Sequence, residues 1–270
     1  GVEFQARCNL ANIVGQLGVG AKVSVDDGKM MTRVEQVEDD HVLLKVLRTG
    51  PKGKALRPDL GLNFPDSPIS LPVLTPKDLE DLDFVAANAD AIGFSFVQRA
   101  ADVALLQREL LARGRAPALI AKIETAEAVR NLPGIIVQAA GRQPLAVMIA
   151  RGDLAVEIGY RRLAEIQEEI LWISEAAHVP VVWATQVLER LAKKGAPSRA
   201  EVTDAAMSER AECVMLNKGP HILDAVRLLD DLLVRMAAHQ RKKTPMLRAL
   251  HSWDHLAGSE PMTSSQVGRG

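Results

Sequence analysis

Residues 147–158 read VMIARGDLAVEI, an apolar run that stops at Arg151-Gly152-Asp153 and then resumes. A short apolar run of this length reads as a buried parallel strand, and the small and charged residues at its end read as a strand-to-helix turn facing solvent or a ligand. Gly152 lets a backbone come close to a bound group, Asp153 can bind a metal, and N–H groups at the start of a following helix can receive an anion. An ordinary turn with a solvated Asp153 has the same local pattern, so the decision rests on the rest of the chain.

The same texture recurs on both sides of this stretch. Apolar runs lie at 91–96, 118–123, 145–150, 180–184 and 213–216. Helical patterns separate them: 100–113, which stops at Gly114, then 126–132, 161–178 and 187–193, and a capping-box start at Ser198-Arg199-Ala200-Glu201. A further helix opens at Thr75-Pro76, Thr as N-cap and Pro at the first helical position, and an amphipathic one runs from 222 to about 239. The polar residues at the strand ends, Ser95, Lys122, Asp153, Thr185 and Asn217, are spaced by 27, 31, 32 and 32 residues. A (β/α)8 barrel of ~250 residues needs roughly 31 per unit, and its active site lies at the C-terminal strand ends. The period therefore predicts one functional face built from five in-phase strand ends.

Upstream the pattern is β-like. Runs at 22–25 and 29–37 flank Asp26-Asp27-Gly28, a strong hairpin signal because Gly accepts the positive φ of the turn, and 41–47 supplies another strand. Residues 52–72, rich in Pro, Gly and Asp, read as a linker. The span from about 90 to 240 has room for five βα units, and the first sixty residues do not supply three more. A closed barrel is not expected from this chain by itself, and an open one exposes two edge strands.

Composition narrows the classes. With 33 Lys+Arg against 34 Asp+Glu in 270 residues, no global charge draws the chain to nucleic acid or to an anionic membrane. Two cysteines, Cys8 and Cys213, make no disulfide framework and suit a reducing cytoplasm. The given sequence does not open on a basic start followed by an apolar core, and no apolar run nears ~18 residues, so a soluble, cytoplasmic protein is expected.

Lys122 and Glu124 are two apart at the end of one strand, so they point to the same side. They form either a plain salt bridge or, with Asp153 on the next strand end, a divalent-cation site beside a lysine. The second arrangement suits a phosphorylated substrate, since Mg²⁺ takes one or two carboxylates and completes its shell with substrate oxygens and water. Thr185 adds a hydroxyl from the following strand, either for catalysis or as a cap for the next helix.

LIAKIET, VMIARGDLAVEI, VPVVWATQVLE, PSRAEVTDAA and ECVML, in this order and spacing, resemble the second half of pyruvate kinase. The resemblance extends upstream to SLPVLTPKDLEDLDF, to GFSFVQRAADV and to VDDG in the lid that the family inserts into its barrel, covering most of 22–236. It implies an α/β fold, a partial TIM (β/α)8-type barrel of about five βα units with a small all-β lid domain. The boundaries expected are 1–66 for the lid, 67–256 for the partial barrel and 257–270 for a disordered tail. The implied reaction is phosphoenolpyruvate plus ADP to pyruvate plus ATP. Glu124 and Asp153 would hold Mg²⁺ (or Mn²⁺), and Lys122 would stabilise the phosphoryl group in flight. Gly152 and Asp153 N–H groups would receive the substrate carboxylate, and Thr185 would assist protonation of the enolate carbon. Ser95 would orient Lys122, and Asp27 or its neighbour Asp26 would approach the nucleotide-bound metal when the lid closes. K⁺ is a further ion of the family, whose usual ligands are not in this chain, and a homo-oligomer is expected.

The chain also departs from that pattern. The last strand ends Asn217-Lys218-Gly219-Pro220 where the family begins Ser-Gly-Glu-Thr, so Lys218 is either a helix-start residue or a substitute cation near the phosphates. The family's C-terminal regulatory domain and first three barrel strands have no counterpart, which predicts an N-terminally incomplete chain without the usual allosteric control. Two other readings remain at this point: a metal-dependent 2-oxo-acid aldolase or lyase, and a non-catalytic barrel fragment that binds a metabolite or a partner chain.

Overall fold

Asp26 (φ 55°) and Gly28 (φ 81°) both take the left-handed conformation, and the chain reverses there between β1 (Lys22–Val25) and β2 (Met30–Val37). That is the backbone geometry a tight hairpin demands. The structure, a computed structural model, describes residues 5–8, 13–26, 28–51, 53–58, 60–65, 67, 69 and 72–240. Asp27 and residues 257–270 lie outside the described residues. β3 (Val42–Arg48) and the two-residue β4 (Leu62–Asn63) complete an antiparallel sheet of order β3-β2-β1-β4. Ile13, Leu17, Val23 and Val34 form its small apolar cluster. On the outer strand β3, by contrast, Leu43, Leu44, Val46 and Leu47 are exposed.

The second sheet is parallel, β5 (Ala91–Phe94), β6 (Ala118–Ile123), β7 (Leu145–Ala150), β8 (Val181–Val187) and β9 (Cys213–Leu216), paired in chain order. Helices α1 (Pro76–Asn88), α2 (Ala100–Ala112), α3 (Ala126–Ala140), α4 (Arg151–Ile158), α5 (Tyr160–Ala176), α6 (Glu189–Lys194), α7 (Arg199–Met207) and α8 (Ile222–Gln240) lie before, between and after the strands. This is a partial (β/α) barrel, open at β5 and β9 among the described residues. Leu119, Ala121, Ile123, Val147 and Ile149 point to the buried side, whereas Ile120, Lys122, Ala146 and Met148 alternate onto a face that is only partly covered. Period-2 alternation thus separates a helix-packed face from a half-open one that carries Lys122.

Local chemistry accounts for several helix starts. Thr75 and Asp78 form a capping box at α1, Thr125 accepts from the Ala128 N–H at α3, and Ser198 with Glu201 caps α7. Such caps satisfy backbone N–H groups that have no partner inside the helix. Three elements differ from expectation. β4 (Leu62–Asn63) lies inside 52–72, the stretch read as a linker, and pairs with β1. α3 runs through Pro133 to Ala140 instead of stopping at 132. The proline removes one helical N–H, but Leu132, Ile135, Ile136 and Ala139 are buried along the continuing face, and that burial outweighs the lost bond. α4 begins at Arg151 with no connecting loop, so the Arg-Gly-Asp turn is itself the first turn of a helix. No described helix is long and apolar enough to cross a membrane.

Candidate active site at the strand ends

β6 ends by delivering Lys122 and Glu124 to one place. Lys122 Nζ donates to Ser95 Oγ at 2.7 Å, from the turn after β5, and pairs with Glu124 Oε1 at 2.9 Å. The salt bridge weighed as the plain alternative is therefore present. Glu124 is 2 % exposed and its second oxygen, Oε2, accepts the backbone N–H of Phe96. Phe96 has φ 53°, a conformation L residues rarely take, and it turns that N–H onto the carboxylate. Burial pushes the Glu124 carboxyl above its ordinary value, against the pull of Lys122 and the Phe96 N–H, and the negative charge of Asp153 adds to the rise. Asp153 is thus close enough for the two carboxylates to repel.

Asp153 stands in the first turn of α4, whose N-terminus has no side-chain cap. Its Oδ1 accepts from Asn63 Nδ2 at 2.8 Å, a bond from β4 of the antiparallel sheet. Two carboxylates on neighbouring strand ends are a hard-oxygen donor set that suits Mg²⁺ or Mn²⁺. Among the described residues no group of three or more His, Cys, Asp or Glu could hold a metal. The remaining ligands would be water or substrate oxygens, as two-carboxylate sites require.

Gly152 and Thr185 fit each other. A Cβ at Gly152 would lie 2.8 Å from Thr185 Cγ2, so the glycine makes room for a side chain of this same chain. Thr185 (φ 74°) and Gln186 (φ 60°) are both left-handed, and β8 pairs irregularly with β9 there. For a β-branched residue this is a strained conformation held by its surroundings. Thr185 is not a helix cap: α6 starts from Leu188 without a side-chain cap bond.

Arg151 supplies the restraint. Its Nε donates to Ala184 O and its Nη2 to Thr185 O, both at 2.8 Å. The guanidinium also forms a two-point ion pair with Asp204 of α7, with Nη2 to Oδ2 at 2.8 Å, and stacks over the Trp183 ring at 4.6 Å. The spacing argument missed Arg151, Asn63 and Phe96. A charged residue directly at the end of an apolar run was the signal for Arg151, but its partner lies 53 residues on.

The remaining expected residues are placed apart from this group. Asp26 pairs with Lys54 and, at 3.1 Å, with Lys29, and these lysines, Lys54 foremost, hold its carboxyl below the ordinary range. Asn217 Nδ2 donates to Glu189 Oε1 at 3.2 Å, while Lys218 is exposed. Asp27 lies outside the described residues.

The family model for the pyruvate kinase barrel domain matches residues 4–220. Pyruvate kinase of Mycobacterium intracellulare is 33 % identical over 235 residues, 84 % of this chain and 48 % of that protein. Pyruvate kinase 1 of Saccharomyces cerevisiae is 35 % identical over 231 residues, 83 % of this chain and 44 % of its own length. Human pyruvate kinase PKLR is 33 % identical over 224 residues, 80 % and 38 % respectively. The chain spans about half the length of the relatives it matches, or less. It belongs to the pyruvate kinase family.

Proposed function

We propose that this member of the pyruvate kinase family acts in phosphoryl transfer from phosphoenolpyruvate to ADP, yielding pyruvate and ATP, in the cytoplasm and with Mg²⁺ or Mn²⁺. One observation carries the reading: Lys122 Nζ is held between Ser95 Oγ and Glu124 Oε1 on the half-open face, with the Asp153 carboxylate beside them. Phosphoryl transfer calls for positioning and charge neutralisation more than covalent chemistry, and this cluster is suited to both.

A cation bound by Glu124 and Asp153 would neutralise charge on the substrate's phosphate and carboxylate oxygens. Lys122 would bear on the transferring phosphoryl group, its ammonium aimed by Ser95. The uncapped first turn of α4 offers the Gly152 and Asp153 N–H groups to the substrate carboxylate, since a helix N-terminus favours an anion. As the phosphoryl group leaves the enol oxygen for ADP, the enolate carbon needs a proton. Thr185, clamped through its backbone by Arg151, would guide a water-borne proton there.

The test is a lactate dehydrogenase-coupled assay with phosphoenolpyruvate, ADP and Mg²⁺. It is run on this chain and on a form extended by any coding sequence upstream, because β5 and β9 have open edges among the described residues. Turnover should appear and Lys122→Met should lower it about 10²-fold or more, the scale of losing one electrostatic stabiliser. No turnover in either form overturns the proposal, and turnover that survives Lys122→Met removes Lys122 from the transfer step.

A further inference from the structure

We propose that Asn63 is a positioning residue for the Asp153 carboxylate, so that the antiparallel sheet sets the affinity of the cation site at the end of the parallel sheet. The inference rests on the reading that Glu124 and Asp153 hold a divalent cation. The two carboxylates are anchored differently. Glu124 takes both its restraints from the barrel, Lys122 on Oε1 and the Phe96 N–H on Oε2. Asp153 takes its side-chain restraint from the other sheet, where Asn63 Nδ2 donates to Oδ1 across 90 residues of sequence.

The donor is well suited to this task. Asn63 is 7 % exposed, so water competes poorly for its amide. It is neutral, so it fixes the orientation of the carboxylate without cancelling the charge a cation would use, as a lysine in its place would. One hydrogen bond to Oδ1 leaves Oδ2 open to a ligand. Asn63 is itself fixed by the β ladder: it pairs with Ser24 of β1, and Leu62 pairs with Val25. The Asp26 N–H extends this connection by donating to Gly61 O at 3.0 Å. Any shift of the hairpin is therefore passed through β4 to Asp153. Ligand carboxylates are held in register by such outer partners, whose removal typically lowers metal affinity about 10–100-fold.

Mn²⁺ binding to the full chain, without substrate, tests this by electron paramagnetic resonance of the free ion. Asp153→Asn and Glu124→Gln should each weaken binding and so identify the site. Asn63→Leu keeps the branched outline but loses the donor, and should raise the Mn²⁺ dissociation constant about 10-fold or more. Asn63→Ser, with a shorter donor, should fall between it and the unsubstituted chain. That order should hold even where urea midpoints of the metal-free variants follow a different one, which a purely packing role would not produce. Unchanged Mn²⁺ affinity in both Asn63 variants, with Asp153→Asn still weakened, overturns the positioning role and leaves the cation site standing. Absent Mn²⁺ binding, or binding indifferent to Asp153→Asn and Glu124→Gln, overturns both.

Discussion

The strand-end cluster of the parallel sheet and the hairpin turn of the antiparallel sheet each hold a carboxylate against lysine, and they bias it in opposite directions. Glu124 pairs with Lys122 yet its carboxyl is raised, because burial outweighs the partner. Asp26 pairs with Lys54 and Lys29 on the more open hairpin, and its carboxyl is lowered because the partners outweigh burial. A carboxylate–lysine pair thus stabilises charge in one place and is strained by it in the other. A buried carboxylate that its neighbours do not fully compensate is available to a cation, whereas a well-paired one at a turn serves the turn.

Three measurements would sharpen or break that contrast. The largest effect is expected from removing the central cation in each region. Arg151→Met leaves Asp204 without its ion pair and frees the Ala184 and Thr185 carbonyls, a loss of about 2–4 kcal/mol. Lys54→Met, which removes the chief partner of Asp26 at the hairpin, should cost about 1 kcal/mol or less. Urea denaturation compares the two, and equal losses would mean that the hairpin is as tightly held as the strand ends.

Glycines give the next contrast. Gly152→Ala drives a methyl to 2.8 Å from Thr185 Cγ2, and overpacking of this kind costs about 1–3 kcal/mol. At Gly28 a methyl meets Val156 Cγ2 at 3.7 Å, ordinary contact, so Gly28→Ala should carry only the strain of a positive φ, about 1 kcal/mol. Thermal unfolding midpoints that reverse this order would place the tighter packing at the hairpin.

The smallest effect is in pH dependence, where the two carboxyls should bend stability in opposite senses. With its value raised, Glu124 makes the folded chain bind more protons than the unfolded one above the ordinary carboxylate range. Its contribution is therefore present at low pH and lost as pH rises through the folded value. Asp26, with its value lowered, contributes above the ordinary range and loses that contribution as pH falls through its folded value. In metal-free buffer, Glu124→Gln should flatten the first slope and Asp26→Asn the second. Urea midpoints across a pH series measure both, and two variants that alter the same limb would erase the distinction.

Much of the fold was legible because buried parallel strands are short apolar runs. The runs at 118–123, 145–150 and 213–216 coincide with β6, β7 and β9. The caps at Thr75 and Ser198 were equally local, since a hydroxyl three residues before a carboxylate needs no distant partner. What escaped was set at long range. The continuation of α3 past Pro133 depends on which face meets the sheet, and the positive φ values at Thr185 and Gln186 depend on Arg151 reaching across from α4.

By itself, the sequence determined the alternation of parallel strands and helices, the in-phase spacing of Ser95, Lys122, Asp153, Thr185 and Asn217, and the family. Those properties follow from side-chain periodicity and local turn chemistry, which act over a few residues. Only the tertiary structure decided that Lys122 lies between Ser95 and Glu124, that Thr185 fills the space above Gly152, and that Asn63 from the other sheet holds Asp153. Apart from the Lys122–Glu124 pair, each of these is a through-space contact between elements many residues apart. Its strength comes from burial and fixed geometry, which exist only once the two sheets have formed.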